Sequence, residues 1–172
     1  QQRAEEINHQ HINSAYLPDY PLNPSLKAST DLAQTVSGCD VIFMAVPSSS
    51  CRAVARELAD HIEANSLLIS TTKGIEPDHF KLMSQVLSEE IPQARVGVLS
   101  GPNLAKEIAA RQITATVIAS RDDELNETVQ ALLHSGTFRV YASSDVYGVE
   151  LGGALKNVYA IIAGMAAALG TG

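Results

Sequence analysis

The 172-residue sequence has no tryptophan, only 5% aromatic residues, and only two cysteines, Cys39 and Cys51. Two cysteines outside any C-x-x-C pair exclude a disulfide-built scaffold and a cysteine metal site. They read as reduced thiols of a cytosolic protein. The histidines are scattered, and His9 with His11 is too small a ligand set for a metal. Positive charge is scarce: 12 Lys and Arg against 19 Asp and Glu leave a net charge of −7. That balance argues against a nucleic-acid surface or a basic membrane face. The apolar run 158–169 has 12 residues, short of the roughly 20 a bilayer needs, so no membrane span is expected and a buried helix is. The polar start Gln1-Gln-Arg-Ala-Glu-Glu6 does not read as a secretory leader. No G-x-G-x-x-G occurs, so the sequence carries no glycine loop for a pyrophosphate. Repeats and low-complexity segments are absent as well.

What is present is an ordinary globular balance, 45% hydrophobic and 18% charged, long enough for one domain with a sizeable core. Its pattern alternates. Residues 40–46 form an apolar run stopped by Pro47, the mark of a buried strand. A helical stretch over 50–64 follows, with Val54, Leu58 and Ile62 four apart. A strand over 66–70 leads to a helix expected to start at Pro77 and run to 90. The strand at 95–99 is followed by a short helix over 103–110. A β-rich stretch at 113–119 and a helix over 122–134 come next. The last strand is 138–141, after which Asp145 reads as the N-cap of a long helix. The proline-containing stretch 13–26 reads as loop. Strand–helix alternation with buried strands predicts an α/β fold with a mostly parallel sheet.

In such sheets ligands bind at the carboxyl ends of strands. Three of these ends carry unusual chemistry: Val46-Pro47-Ser48, Thr72-Lys73-Gly74 and Ser100-Gly101-Pro102-Asn103. Lys156 is a second oddity. It lies among Gly152, Gly153, Tyr159 and Ala160 on the long helix, a face of mostly small residues. An ammonium there has no evident partner and wants an anion or a carbonyl. Simpler readings exist for each residue. Lys156 could extend to solvent, Lys73 and Gly101-Pro102 could be turn residues, Asn103 could be a helix N-cap, and Ser48-Ser-Ser50 reads as a turn and cap.

Six segments together resemble the bacterial NAD(P)-dependent glycerol-3-phosphate dehydrogenase family. They are Val149-Glu-Leu-Gly-Gly-Ala-Leu-Lys-Asn157, Thr72-Lys-Gly74, Ala45-Val-Pro-Ser48, Leu99-Ser-Gly-Pro-Asn-Leu-Ala-Lys-Glu107, Phe138-Arg-Val-Tyr141 and Asn13-Ser-Ala-Tyr-Leu-Pro18. The resemblance spans nearly the whole chain in order. It implies a Rossmann-like fold lacking its first glycine-rich βα unit, followed by the first long helix of an all-α C-terminal domain. Residues 1–143 would then be an incomplete dinucleotide-binding domain, and 144–172 the start of a helical substrate domain. The implied reaction interconverts dihydroxyacetone phosphate and sn-glycerol 3-phosphate with NAD or NADP, feeding phospholipid synthesis in the cytoplasm. Lys156 would be the catalytic proton acceptor and would contact substrate. Lys73 would contact both cofactor and substrate, Gly101 and Asn103 would line the substrate site, and Ala105 would touch the cofactor. No metal is implied. The partner is a small phosphate substrate, and a homodimer is left open.

Lysine suits this role because its pKa shifts readily on burial, and two neighbouring ammonium groups depress each other's pKa. On this reading the sequence is an interior part of a longer enzyme, and the 172 residues alone are expected to be inactive. Two other readings stand beside it. One is a lysine-dependent dehydrogenase of the 6-phosphogluconate or hydroxyisobutyrate type. That type places its asparagine one helical turn after the lysine, whereas here Asn157 is adjacent and position 160 is alanine. The other is a non-catalytic α/β nucleotide-binding module.

Overall fold

Leu68 and Ile69 are adjacent in sequence and both fully buried. Successive strand side chains point to opposite faces, so the sheet that contains them is covered on both sides. The computed structural model describes residues 1–171. Its elements run α1 (Gln2–Gln10), α2 (Leu32–Val36), β1 (Val41–Met44), α3 (Ser48–Ala59), β2 (Leu67–Ser70), α4 (Met83–Glu90), β3 (Arg95–Ser100), α5 (Ala105–Ala109), β4 (Thr114–Ala119), α6 (Asp123–Leu133), β5 (Phe138–Ser143) and α7 (Val146–Ala168).

The five strands lie in the order β1-β2-β3-β4-β5. All neighbours pair in parallel except β3 and β4, which are antiparallel. The expected mostly parallel α/β sheet is therefore what forms. On one face Leu68 packs with Cys51, Ala55 and Leu58 of α3 and with Met83, Val86 and Leu87 of α4. On the other, Ile69 packs with Ile118, Val140, and Leu125 and Val129 of α6. Each buried aliphatic side chain of this kind contributes about 1.5–3 kcal/mol. Gly97 lies under this second cluster, where an added Cβ would come within 2.7 Å of the Leu125 side chain; a larger residue would make that side chain repack.

The single antiparallel pairing sets the path of the last helix. The chain leaves β5 at the sheet edge opposite the carboxyl ends of β1–β3. Asp145 caps α7 there, accepting a hydrogen bond from the Gly148 amide at 2.8 Å. α7 then packs across β3 and β4 and reaches the carboxyl end of β3, where Gly153 abuts Ser100. The helix continues roughly 22 Å further, at 1.5 Å per residue.

Several boundaries differ from the sequence expectation. The helix expected from Pro77 begins only at Met83. Residues 75–82 instead form a turn closed by the Ile75–Leu82 bridge and the Glu76 amide donating to the Lys81 carbonyl at 2.8 Å. Phe80 adopts a positive φ of 53° within it. α3 starts at Ser48, directly after Pro47, and stops at Ala59, five residues before the expected end. The short α2 escaped prediction altogether. The buried helix expected at 158–169 is corrected too: Tyr159, Ile161, Ile162 and Met165 are exposed, because this half of α7 projects past the sheet. Taken whole, α7 has 23 residues and a mean hydropathy of 1.3 in its most apolar window, enough by length and composition to cross a membrane. Its first half, however, is committed to β3 and β4 and carries the buried Glu150.

The turn at 75–82 is held by charge. Arg52 of α3 donates to Glu76 at 2.5 and 2.8 Å, and also to Glu89 and Glu90 of α4. Arg52 hydrogen bonding, the largest influence, lowers the Glu76 pKa from 4.5 to about 2. Because the folded pKa is depressed, the stabilisation is present above the unfolded value and is lost as pH falls from about 4.5 to about 2. Thermal melts down an acid series should show this loss in the native protein. Glu76→Gln should lower the melting temperature at neutral pH and flatten the acid limb; an unchanged limb would show that Glu76 does not carry it.

Candidate active site

The carboxyl ends of β1 and β2 are laced together. The Thr71 amide donates to the Met44 carbonyl at 2.9 Å, and the Thr72 hydroxyl to the Val46 carbonyl at 2.9 Å. This fixes the backbone just before Lys73. Gly74 follows with φ of 151°, and a Cβ there would lie 2.6 Å from Ser48. The turn therefore needs glycine both for its conformation and for its approach to α3. Lys73 is thereby aimed across the strand ends, and its Nζ donates to the Gly101 carbonyl at 3.0 Å.

Gly101 sits directly after β3, where an added Cβ would be 2.8 Å from the Ala115 carbonyl oxygen and 2.9 Å from Thr116 Cα. Asn103 does not cap a helix, which corrects the simplest reading of that residue. α5 begins after Leu104 with no side-chain cap. The Asn103 Nδ2 instead donates to Thr116 Oγ1 at 2.9 Å, and Thr116 Oγ1 donates to the Ser100 carbonyl at 3.1 Å. Asn103 Oδ1 is left buried without a hydrogen-bond partner, an acceptor that costs stability until a donor arrives. Ser70 Oγ, at the end of β2, is in the same position.

Lys156 reaches this edge from above on α7. Burial is the main cause that lowers the Lys73 pKa, and the nearby positive charge of Lys156 adds to it. The two lysine heads are therefore neighbours. Among the described residues neither forms an ion pair with a carboxylate. Of the residues singled out from the sequence, the structure brings together Lys73, Gly101 and Lys156, with Asn103 tied to the same strand ends through Thr116 and Ser100. Ala105 is exposed at the start of α5, and no interaction of the lysine pair involves it.

Sequence reasoning missed two contributors. Glu150 is buried on α7, and Thr116 joins Asn103 to β3. A carboxylate in an otherwise apolar helix was a signal for the first; nothing local marked the second. A groove of about 800 Å³ lies elsewhere, at the amino end of β3 between Arg95, Asp122, Asp145 and Tyr147. It contains neither lysine, and its Arg95 is already paired with Asp122 at 2.5 and 2.7 Å.

Comparison with known proteins gives this arrangement a context. Residues 1–126 match the model of the NAD-dependent glycerol-3-phosphate dehydrogenase N-terminus, and residues 145–172 that of its C-terminus. The chain is 59% identical over 173 aligned residues to a glycerol-3-phosphate dehydrogenase (NAD(P)+) of Pseudomonas fluorescens strain SBW25, covering 99% of this chain and 50% of the relative. It is 54% identical to the corresponding protein of Teredinibacter turnerae, with the same coverage of each chain. Among solved structures, glycerol-3-phosphate dehydrogenase from Coxiella burnetii superposes with a TM-score of 0.89 at 34% identity, covering 99% of this chain and 52% of that one. A pyrroline-5-carboxylate reductase from Coxiella burnetii, at 16% identity and a TM-score of 0.59, shares the fold alone. The chain spans about half the length of the curated relatives it matches. With both family models matched in order along most of its length, the chain belongs to the NAD-dependent glycerol-3-phosphate dehydrogenase family.

Proposed function

We propose that the full-length protein interconverts dihydroxyacetone phosphate and sn-glycerol 3-phosphate with NAD or NADP, in the cytoplasm, and supplies glycerol 3-phosphate for phospholipid synthesis. The observation that carries this reading is the convergence of Lys73 and Lys156 at one sheet edge with no carboxylate between them. Two ammonium groups left without a counter-ion suit a substrate with a phosphate and a carbonyl oxygen. Residues 1–143 are read as the dinucleotide-binding part and 144–172 as the start of the substrate domain. A homodimer is the assembly proposed for the full-length protein. The family relatives do not favour the 6-phosphogluconate type of dehydrogenase or a non-catalytic module.

Reduction of a ketone builds negative charge on the carbonyl oxygen, and a cation held beside that oxygen is worth more in the transition state than before it. Lys156 Nζ is assigned the proton: it donates to the forming alkoxide, and in the reverse direction it takes the alcohol proton as a general base. Lys73, anchored on the Gly101 carbonyl, holds a second positive charge against the substrate. Gly101 and Asn103 are assigned to the substrate wall. Gly101 permits close approach, and Asn103 Oδ1 offers an unused acceptor to a hydroxyl or amide. That free acceptor, the Lys73 donor and the open strand ends fit the polar groups of a nicotinamide nucleotide. Lys73 and Ala105 are the residues proposed to hold it. When bound, NAD(P)(H) supplies the hydride chemistry, and the protein supplies orientation and charge.

Two measurements on the full-length protein test this. Lys156→Ala should lower turnover of dihydroxyacetone phosphate by at least about 10²-fold while the fold is kept, the usual weight of a general acid–base contact. Near-normal turnover, or turnover of 6-phosphogluconate in place of dihydroxyacetone phosphate, would reject the assignment. The second measurement concerns pH. Lys73 has a lowered pKa, so its charge disappears at a lower pH than that of a surface lysine. Affinity for glycerol 3-phosphate should weaken as pH rises through that lowered value. Lys73→Arg, whose guanidinium stays protonated, should move the loss to higher pH. An unmoved alkaline limb would assign it to another group.

A further inference from the structure

Glu150 is a carboxylate in an interior that has no use for it as packing. It is 4% exposed, on the sheet-facing side of α7. An ionised group in such a place is costly unless its oxygens are matched, and here both are. One accepts from the Ser84 amide at 2.9 Å, and the other from the Ser84 hydroxyl at 2.5 Å. Ser84 lies in the first turn of α4, where backbone amides lack helical partners and negative charge is favoured. The helix's own Gln85 accepts from the Leu82 amide at 2.9 Å, and Glu150, from 66 residues away, adds the acceptor for the Ser84 amide that the Leu82 N-cap cannot supply. Its charge also bears on the buried Cys51 thiol, whose pKa is pushed up by burial first and by Glu150 second. One carboxylate therefore touches α4 and lies beside α3 while belonging to α7.

The next turns of α7 depend on that attachment. Three residues on, Gly153 lies against Ser100, so close that a Cβ would be 2.5 Å from the serine hydroxyl oxygen. A slip of one residue along the helix would present the Ala154 methyl at that point. Three residues further comes Lys156, about 9 Å along the axis from Glu150 and about 120° around it. An α-helix carries a shift or rotation at one turn directly to the next, so the grip on Ser84 and the fit at Ser100 together set where the Lys156 head meets Lys73.

We infer that Glu150 is a positioning residue for Lys156: its paired hydrogen bonds to Ser84 fix the register of α7 against α4 and so align the lysine over the strand ends. This rests on the reading of Lys156 as the proton acceptor. It acts through Lys156 and touches no substrate.

A double-mutant cycle in the full-length protein separates positioning from general structural support. Glu150→Ala should lower kcat for dihydroxyacetone phosphate by roughly 10- to 100-fold when Lys156 is present, the scale of an ångström-sized misplacement. The KM for the nicotinamide cofactor should stay within about 2-fold, since this helix segment does not serve that role. In the Lys156→Ala background the same substitution should change the residual kcat by less than about 2-fold, because there is no lysine left to misplace. Glu150→Gln, which keeps an acceptor for the Ser84 amide, should recover most of the loss. Should Glu150→Ala give no folded protein, Ser84→Ala supplies the same cycle by removing one of the two bonds. An equal loss in both backgrounds, or no loss in either, would overturn the inference. Full activity of Lys156→Ala alone would instead remove the reading beneath it, so the two failures are distinguishable.

Discussion

Two like charges brought together at one edge of the sheet repel each other, and their meeting has to be imposed by the rest of the fold. Lys73 is held by the laced ends of β1 and β2 and by its bond to the Gly101 carbonyl. Lys156 is delivered by α7, which crosses β3 and β4 under the constraint of Glu150 and Gly153. Each lysine thus stands on a different element, and the elements are fixed to each other by backbone hydrogen bonds and buried contacts rather than by the lysines' own interactions. A site assembled in this way is pre-organised: its repulsion is met in folding, and an anionic or carbonyl ligand relieves it on binding.

The antiparallel β4 is what makes the assembly geometrically available. Had β4 and β5 run parallel to β3, the chain would have left β5 at the carboxyl edge, and α7 would have run away from Lys73. With β3 and β4 antiparallel, the chain starts α7 at the far edge and must travel back across the face. That path brings Glu150 to α4, Gly153 to the end of β3 and Lys156 to the crevice, in that order.

Much of this was legible from residue patterns. The apolar runs ending at Pro47, Thr72 and Ser100 gave the parallel strands, and Asp145 marked the start of α7 through its own side-chain bond to the Gly148 amide. These are local signals, written within a few residues of the feature they specify. The misreadings share a different cause. Pro77 is a good first helical residue, yet Arg52, 24 residues earlier, draws Glu76 into a turn and postpones α4 to Met83. Asn103 precedes a helix as a cap would, yet Thr116, 13 residues on, takes its amide. The apolar tail of α7 looks buried from composition alone, yet its exposure is decided by where the sheet ends. In the first two cases a partner distant in sequence outweighed a local preference, and in the third the extent of the sheet decided; no periodicity records either.

The overall charge of −7 is at first sight wrong for the proposed phosphate-binding site, but its distribution resolves the difficulty. Glu76, Glu89 and Glu90 are gathered by Arg52, Arg56 and Lys81 on the α3–α4 side. Asp122 and Glu124 are occupied with Arg95 at the amino end of β3. Glu150, the acid nearest to Lys156 in sequence, is consumed by Ser84. These carboxylates are committed elsewhere, and the field of the distant ones fades over a Debye length of about 8–10 Å in salt. At the strand ends the near pair of ammonium groups dominates. The acidic balance therefore does not oppose the site; with these acids tied down, neither lysine pairs with a carboxylate among the described residues.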